Sequence, residues 1–430
     1  MSIPELYNKF NECSEISTDS RNITNTCMFF ALKGDNFNGN KFALDAIKQG
    51  ANYSIIDEKE FAINNKCILV NDVLETLQKL ANYHRKQIRI PIIAITGTNG
   101  KTTTKELLTT VLQAKFNIKS TSGNFNNHIG VPLSLLGFTP DLDYGIIEMG
   151  ANHPKEIELL CKIAEPDYGL ITNIGKAHIE GFGSFEGVIN TKNELYTYLK
   201  NNNKIIFYNS DNEILSSLIG DYANVEKYCV SDSCNVKGRV ISASPMVAVE
   251  FSENSETVEI STNLVGTYNL ENIVVACTIG SYFNMSLTEI KKAIESYVPT
   301  NNRSQLVEKG TNKIIVDAYN ANATSMTNAI ENIVVIESKN KVLILGDMLE
   351  LGSLSEQEHK NILVLVEKLG FTNAYFVGSE FYKQKNNKYK FYKNTAELKT
   401  YLFENKIIDS LILLKGSRGI GLEVLLEYFD

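Results

Sequence analysis

Ile95-Thr96-Gly97-Thr98-Asn99-Gly100-Lys101-Thr102-Thr103-Thr104 is the stretch whose reading decides the fold. The residues ahead of it, 91–95, are Pro-Ile-Ile-Ala-Ile, the composition of a strand buried on both faces of a parallel sheet. Residues 105–114 behind it read as a helix. Between them, two glycines let the backbone approach an anion closely, and a helix N-terminus directs unpaired N–H groups at it. Lys101 would reach terminal phosphates and Thr102 would hold Mg²⁺. The strict form of such a loop has a glycine five residues before Gly100, where this chain has Ile95, so GTNGKT is a shortened form. An ordinary strand–turn–helix junction with a chance lysine is the bland alternative. The coincidence of strand, glycine pair, Gly-Lys-Thr and helix argues against it. ATP, or another nucleoside triphosphate, is therefore the leading ligand, held by Gly97, Thr98, Asn99, Gly100, Lys101, Thr102 and Thr103.

Working outward, 430 residues exceed one compact core and predict two or three domains. The formal charge of −8 argues against wholesale nucleic-acid binding, so a phosphorylated substrate needs local lysines and arginines. The seven cysteines are odd in number and form no CxxC pair, which points to reduced thiols in a cytoplasmic protein rather than a disulfide framework or structural zinc. No signal peptide or membrane-spanning apolar run is found, and a monomer is the default expectation.

Three blocks emerge. Residues 1–90 carry apolar segments at 27–32, 53–56 and 67–70, then a helix marked by Val73, Leu77, Leu80 and Ala81. Residues 91–297 alternate strands at 145–148, 168–172 and 204–208 with helical patterns, one of which sets Ile157, Leu160, Cys161 and Ala164 on a single face. That alternation predicts a parallel sheet covered on both sides. Residues 236–260 alternate polar and apolar instead, predicting antiparallel hairpins at the edge of that sheet. Residues 298–430 repeat the α/β grammar with strands at 314–317, 342–345, 374–377 and 411–414.

Several polar groups sit where such sheets bind ligands, beyond the carboxyl ends of strands. Glu148 ends a strand and suits Mg²⁺, directly or through water. His178 follows another strand and reads equally as a structural histidine or a metal or phosphate contact. Lys192 alone reads as a solvated helix lysine. Asn126 and Asn127 precede an apolar helix, to cap it or to touch substrate. Asp317, Asn320 and Asn322 follow one strand of the last block, and Lys415 and Ser417 follow another; each set reads as ligand-facing or as turn chemistry. Arg303, where the second and third blocks meet, suits a ribose–phosphate contact.

Taken in order, these motifs resemble the Mur ligase family over nearly the whole chain. The resemblance rests on Thr18-Asp19-Ser20-Arg21, GTNGKTT, GNFNNHIGVP ending at Pro132, EMGAN, the GKAHIE and TKNE pair, DAYNAN, LGDMLELG from Leu345 to Gly352, and KGSRG. DAYNAN and LGDMLELG are similar to the branch that joins D-alanyl-D-alanine to UDP-N-acetylmuramoyl-tripeptide. The implied architecture is α/β with three domains: a UDP-substrate domain at 1–90, a central P-loop parallel-sheet ATPase domain at 91–297, and a Rossmann-like domain at 298–430 for the incoming dipeptide and part of ATP. The implied roles follow the same motifs. Thr18, Asp19, Ser20 and Arg21 would meet the uridine nucleotide. Lys101 and Thr102 would hold phosphates and Mg²⁺, with Glu148 and His178 supporting the metal. Lys192 matches a lysine that the family carbamylates. Asn269, Asn272, Arg303 and Asp317 would contact ATP, and Asn320, Asn322, Lys415 and Ser417 would lie near the reacting peptide end. Asn126 and Asn127 belong to the loop that follows the ATP loop.

Two positions depart from the family pattern. Tyr268 replaces a frequent histidine, which puts any nucleotide role of that side chain in question. Ala323 replaces a common proline, so its loop loses a fixed φ. The implied chemistry is phosphorylation of a carboxylate by ATP, followed by amine attack on the acyl phosphate, with Mg²⁺ and Lys101 neutralising charge. No protein nucleophile is required. Other readings remain: another amino-acid ligase of the family, a folylpolyglutamate synthetase-like enzyme, or a nucleotide-binding regulator without catalysis. The first would carry a DNPR-like motif in the last block, the second would not need Thr18–Arg21, and the third would lack Lys101, Glu148, His178 or Lys192.

Overall fold

In the computed structural model, which describes residues 1–430 apart from 177, 178, 232, 301 and 430, Ile92–Thr96 lies inside a six-stranded sheet with every residue buried. The sheet runs Val225–Tyr228, Ile205–Asn209, Tyr168–Ile171, Ile92–Thr96, Tyr144–Glu148, Ile118–Ser120, all parallel. The chain crosses from one side of Ile92–Thr96 to the other after Tyr144–Glu148, so the order of connection reverses there. Such a reversal opens a crevice beyond the carboxyl ends of the strands.

The last block builds a second six-stranded sheet in the order Gln305–Lys309, Asn312–Asp317, Leu411–Lys415, Lys341–Gly346, Ala374–Val377, Lys390–Tyr392. Only the first pair is antiparallel. The two edge strands were not read from sequence. Each is short and half-exposed, without the buried apolar run that marks the central four. A third, four-stranded parallel sheet occupies the first block, as Ile16–Ser17, Met28–Phe30, Tyr53–Ile56, Cys67–Leu69.

Two expectations are corrected. The hairpins expected at the edge of the central sheet form their own antiparallel sheet, Lys237–Ala243, Met246–Glu253 and Glu256–Val265. Val247, Val249 and Phe251 alternate into a core shared with the apolar helix Leu270–Tyr282. A strand with one buried face pairs with its hairpin neighbours, whereas the parallel sheet needs strands buried on both faces. The expectation of reduced thiols also fails for one pair: Cys229 and Cys234 form a disulfide across a short turn, with Cα atoms 6.1 Å apart. The remaining five cysteines are free.

The first and second blocks share one core. Helix Val73–Ile88 starts at the Asp72 cap, whose side chain accepts from Glu75 N. Its buried Leu77, Leu80, Ala81 and Ile88 pack in one cluster with Val131, Leu135 and Phe138 of the middle block. Each such fully buried leucine contributes about 1.5–3 kcal/mol. A polar node locks the same junction. Arg85 donates to the Ala164 carbonyl at 2.9 Å and to Asp167 Oδ2 at 2.7 Å. Asp167 also accepts from Ile92 N at 3.0 Å and from Lys204 Nζ at 2.6 Å. Replacing Arg85 by Met leaves Asp167 with Lys204 as its one charged donor among these groups and removes the donor to the Ala164 and Glu165 carbonyls. The expected loss is about 2–3 kcal/mol, measured as a lowered urea midpoint; an unchanged midpoint would show that the node is solvated rather than structural.

Candidate active site

The carboxyl ends of both six-stranded sheets face one cleft of about 1040 Å³. At its floor, the turn after Ile92–Thr96 has two positions with room only for glycine. Gly97 and Gly100 sit at φ +147° and +78°, and a Cβ on them would fall 2.0 Å from Thr172 Oγ1 and 2.4 Å from Asn272 Oδ1. Helix Lys101–Gln113 begins directly afterwards, and its cap residue Gly100 offers no side-chain acceptor to the first-turn N–H groups. Asn173 and Thr172 hold the loop from the neighbouring strand. Asn173 accepts from Thr98 N through its carbonyl and from Asn99 N through its side chain, both at 2.9 Å, and Thr172 Oγ1 donates to the Asn99 carbonyl at 2.6 Å. Neither residue was among the sequence candidates; their place directly after Tyr168–Ile171 was the available signal. Lys101 Nζ donates to the carbonyls of Gly97 and Thr98 at 2.8 and 3.0 Å.

Glu148 stands beside this loop, 2 % exposed. Its two oxygens accept from Thr102 Oγ1 at 2.9 Å and from Asn126 Nδ2 at 2.8 Å. Asn126 thus orients the carboxylate, while Asn127 Oδ1 accepts from Ile129 N at 3.1 Å and from Gly130 N at 2.8 Å in the turn ahead of the helix Gly130–Leu136. Lys192, on helix Phe185–Asn201, is not the solvated lysine that its local sequence suggested: it is 2 % exposed and lines the cleft. Burial, then the charge of Lys101, depress its pKa to about 7 against the restoring pull of Glu156 and Glu194. Burial and Arg303 bring Lys101 down to about 8, with Glu148 opposing them. His178 lies outside the described residues. Among the described residues no three His, Cys, Asp or Glu side chains cluster as a metal cage.

The last block supplies the opposite wall. Asp317 and Lys415 end adjacent strands in register and pair at 2.6 Å. Lys415 also reaches the Asn320 carbonyl at 3.4 Å. Arg303 stacks on the Tyr319 ring at 3.7 Å. Asn322 Nδ2 donates to Asn99 Oδ1 at 2.8 Å, tying this wall directly to the phosphate loop. The Ala323 position is not loose: it opens helix Ala323–Val335, and Asn322 and Ser325 form a reciprocal capping box that fixes the backbone without proline. Asn269 and Asn272 form a buried chain. Asn269 Nδ2 donates to the Val265 carbonyl, Asn272 Nδ2 donates to Asn269 Oδ1, and Thr104 Oγ1 donates to Asn272 Oδ1.

The cleft therefore gathers Thr98 through Thr103, Asn126, Asn127, Glu148 and Lys192 with Asn269, Asn272, Arg303, Asp317, Asn320, Asn322 and Lys415. Gly97 is not part of the lining; its carbonyl accepts from Lys101 Nζ. Ser417 lies behind the wall, buried, accepting from Leu349 N at 2.9 Å. Thr18, Asp19, Ser20 and Arg21 are not part of the cleft lining; Asp19 and Arg21 pair with each other at the surface of the first block.

Known proteins match this arrangement. Residues 12–94 match the Mur ligase family catalytic domain, 95–280 the Mur ligase middle domain, and 302–418 the Mur ligase glutamate ligase domain. The UDP-N-acetylmuramoyl-tripeptide--D-alanyl-D-alanine ligase of Rickettsia prowazekii is 32% identical over 99% of this chain and 97% of its own length. The ligase of the same name from Escherichia coli K12 is 32% identical over 95% and 92%. Among solved structures, MurF from Acinetobacter baumannii superposes with a TM-score of 0.88 at 26% identity, covering 100% of this chain and 98% of its own. MurF ligase from Thermotoga maritima in complex with ADP gives 0.86 at 26% identity, with 96% of each chain covered. By sequence along its length and by the architecture of its sheets, the chain belongs to the Mur ligase family.

Proposed function

We propose that this protein is an ATP-dependent ligase that joins D-alanyl-D-alanine to UDP-N-acetylmuramoyl-tripeptide through an acyl phosphate, in the cytoplasm, as a step of peptidoglycan precursor synthesis. The observation that carries the reading is end-to-end similarity to ligases of that name, joined to a cleft in which a phosphate loop faces a second wall of polar groups. The first block would hold the UDP end, with Thr18–Arg21 at the nucleotide. The middle block would hold ATP, and the last would hold the dipeptide near Asn320, Asn322 and Lys415, with Ser417 supporting that wall from behind.

A carboxylate resists amine attack because oxide is a poor leaving group. Transfer of the terminal phosphoryl group of ATP to the tripeptide carboxylate gives an acyl phosphate and ADP. The free amine of the dipeptide then attacks the acyl carbon, and phosphate leaves. Lys101 and Arg303 would neutralise the polyanion, and Asn322 would hold the dipeptide wall against the loop. Water must be excluded, since it would hydrolyse the acyl phosphate.

Mg²⁺ fits the donors present: Thr102 and Glu148 offer hard oxygens within hydrogen-bond distance of each other. The bound ion would supply Lewis-acid charge neutralisation at the phosphates. Lys192 fits the carbamate reading physically. An amine must be neutral to attack CO2, and a pKa of about 7 leaves a large neutral fraction near neutrality. Attack forms the N–C bond, and loss of the amine proton to solvent leaves a carbamate anion facing the metal site.

Sustained, multiple-turnover release of ADP is expected only when ATP, the UDP-linked tripeptide and D-alanyl-D-alanine are all present, since without the dipeptide the reaction halts at about one acyl phosphate per enzyme; sustained release at the full rate without the dipeptide would exclude this assignment. Lys192→Ala should lower kcat by about 10–100-fold or more and be partly restored by short carboxylates; full activity in the variant would refute the carbamate. In CO2-depleted buffer, Lys192 also makes a stability prediction. Its folded pKa lies below the usual 10.5, so the unfolded chain binds the extra proton between about pH 7 and 10.5. Stability therefore rises with pH across that window and is lost as pH falls towards 7. Lys192→Met should flatten the slope of unfolding free energy against pH by up to about 1.4 kcal/mol per pH unit; parallel curves would show that Lys192 is solvated in the fold.

A further inference from the structure

Tyr268, the residue that departs from the family pattern, does not sit idle in the cleft. Its hydroxyl and that of Ser304 are hydrogen-bonded at 2.8 Å across the junction of the second and third blocks. Burial holds the phenol well above its usual pKa, so the group stays a neutral hydroxyl. The ring itself dictates its neighbour: a Cβ on Gly266, at φ +101°, would fall 2.3 Å from it.

What the clasp holds is a strained turn. Asn302 and Ser304 both adopt left-handed backbone conformations, φ +53° and +50°, on either side of Arg303. Such residues persist only where surrounding contacts over-determine them. Arg303 is then constrained from its far end, where the guanidinium lies on the Tyr319 ring at 3.7 Å. Its Nε is buried with no acceptor among the described residues, and its charge is felt at Lys101 of the phosphate loop. An arginine so placed, with a donor unspent and a second cation beside it, is set for a polyanion.

We propose that Tyr268 is a positioning residue: through its hydrogen bond to Ser304 it fixes the turn that presents Arg303 to the phosphate chain of the nucleotide. This rests on the ATP-dependent reading above and assigns a role to a side chain that replaces imidazole chemistry with a hydroxyl tether. It also places the tether between two blocks, so the alignment of Arg303 with Lys101 depends on their seating against each other.

The experiment compares Tyr268→Phe, Ser304→Ala, Arg303→Met and the Tyr268→Phe/Arg303→Met double variant, reading kcat and KM for ATP and for D-alanyl-D-alanine, with ATP affinity by calorimetry. Tyr268→Phe and Ser304→Ala remove the same hydrogen bond from opposite sides, so failure of one to fold leaves the other. Each should lower kcat/KM for ATP by about 3–10-fold, weaken ATP binding likewise and leave KM for the dipeptide unchanged. In the Arg303→Met background the Tyr268→Phe change should have less than about twofold effect. Wild-type kcat/KM in both single hydroxyl variants, equal loss with and without Arg303, or a matching rise in the dipeptide KM would overturn the proposal. A wild-type enzyme that binds ATP but makes no peptide bond would sink the ligase reading alone, and the calorimetric cycle would still decide the clasp.

Discussion

Cationic side chains crowded into one low-dielectric cleft set the terms for everything around them. Burial lowers the proton affinity of both Lys101 and Lys192; the charge of Lys101 adds to it at Lys192, and that of Arg303 adds to it at Lys101. Glu148, Glu156 and Glu194 offset this only in part. Groups of like charge brought together this way weaken the fold unless an anion joins them. A nucleoside triphosphate answers that demand with several negative charges at once. The same crowding leaves Lys192 with a neutral fraction at pH 7, which converts an electrostatic liability into chemical reactivity towards CO2. In this reading binding and modification come from one source, the removal of these amines from water.

Backbone geometry supplies the other half. Between a parallel strand ending in Thr96 and a helix starting at Lys101, positions 97 and 100 leave no room for a side chain, because Thr172 and Asn272 already occupy the space a Cβ would need. The turn is therefore rigid before any ligand arrives, and preorganised donors need no reordering when charge develops. The second sheet reaches the loop through Asn322, a helix cap that spends its Nδ2 on Asn99 and its Oδ1 on Ser325 N. One side chain thus terminates an element and sets the distance between two walls.

Much of this was legible from local pattern. The buried strands of both large sheets and the glycine turn are short-range signals, and all coincide with elements in the structure. What stayed hidden depends on contacts distant along the chain. Asn99 and Asn322 are separated by 223 positions, and no periodicity announces that they touch. Lys192 reads as a surface lysine by residue type alone, yet it shares a helix face with the buried Val188, Leu195 and Tyr196, and its Nζ lies 5.5 Å over the Phe182 ring at the cleft. The three-stranded sheet at 237–265 had the right local alternation but the wrong neighbour, since alternation specifies one buried face without saying what covers it. Cys229 and Cys234 were passed over because their spacing matches no metal or redox motif, while a tight turn brings them together regardless.

The two departures from the family pattern show how a fold absorbs a changed residue. Proline at position 323 would preset φ at a helix start; with alanine there, the same conformation is secured by side-chain capping from Asn322 and Ser325. Histidine at position 268 would bring a ring nitrogen that titrates near neutrality; tyrosine brings a longer reach and a hydroxyl that does not. The reach matters more than the acidity. A phenol extends far enough to cross from one block to Ser304 of the next, at the cost of requiring glycine at 266. A site that needs only a neutral hydrogen-bonding group to steady a turn loses nothing by giving up imidazole, and its alignment becomes independent of pH over the range where a histidine would change charge.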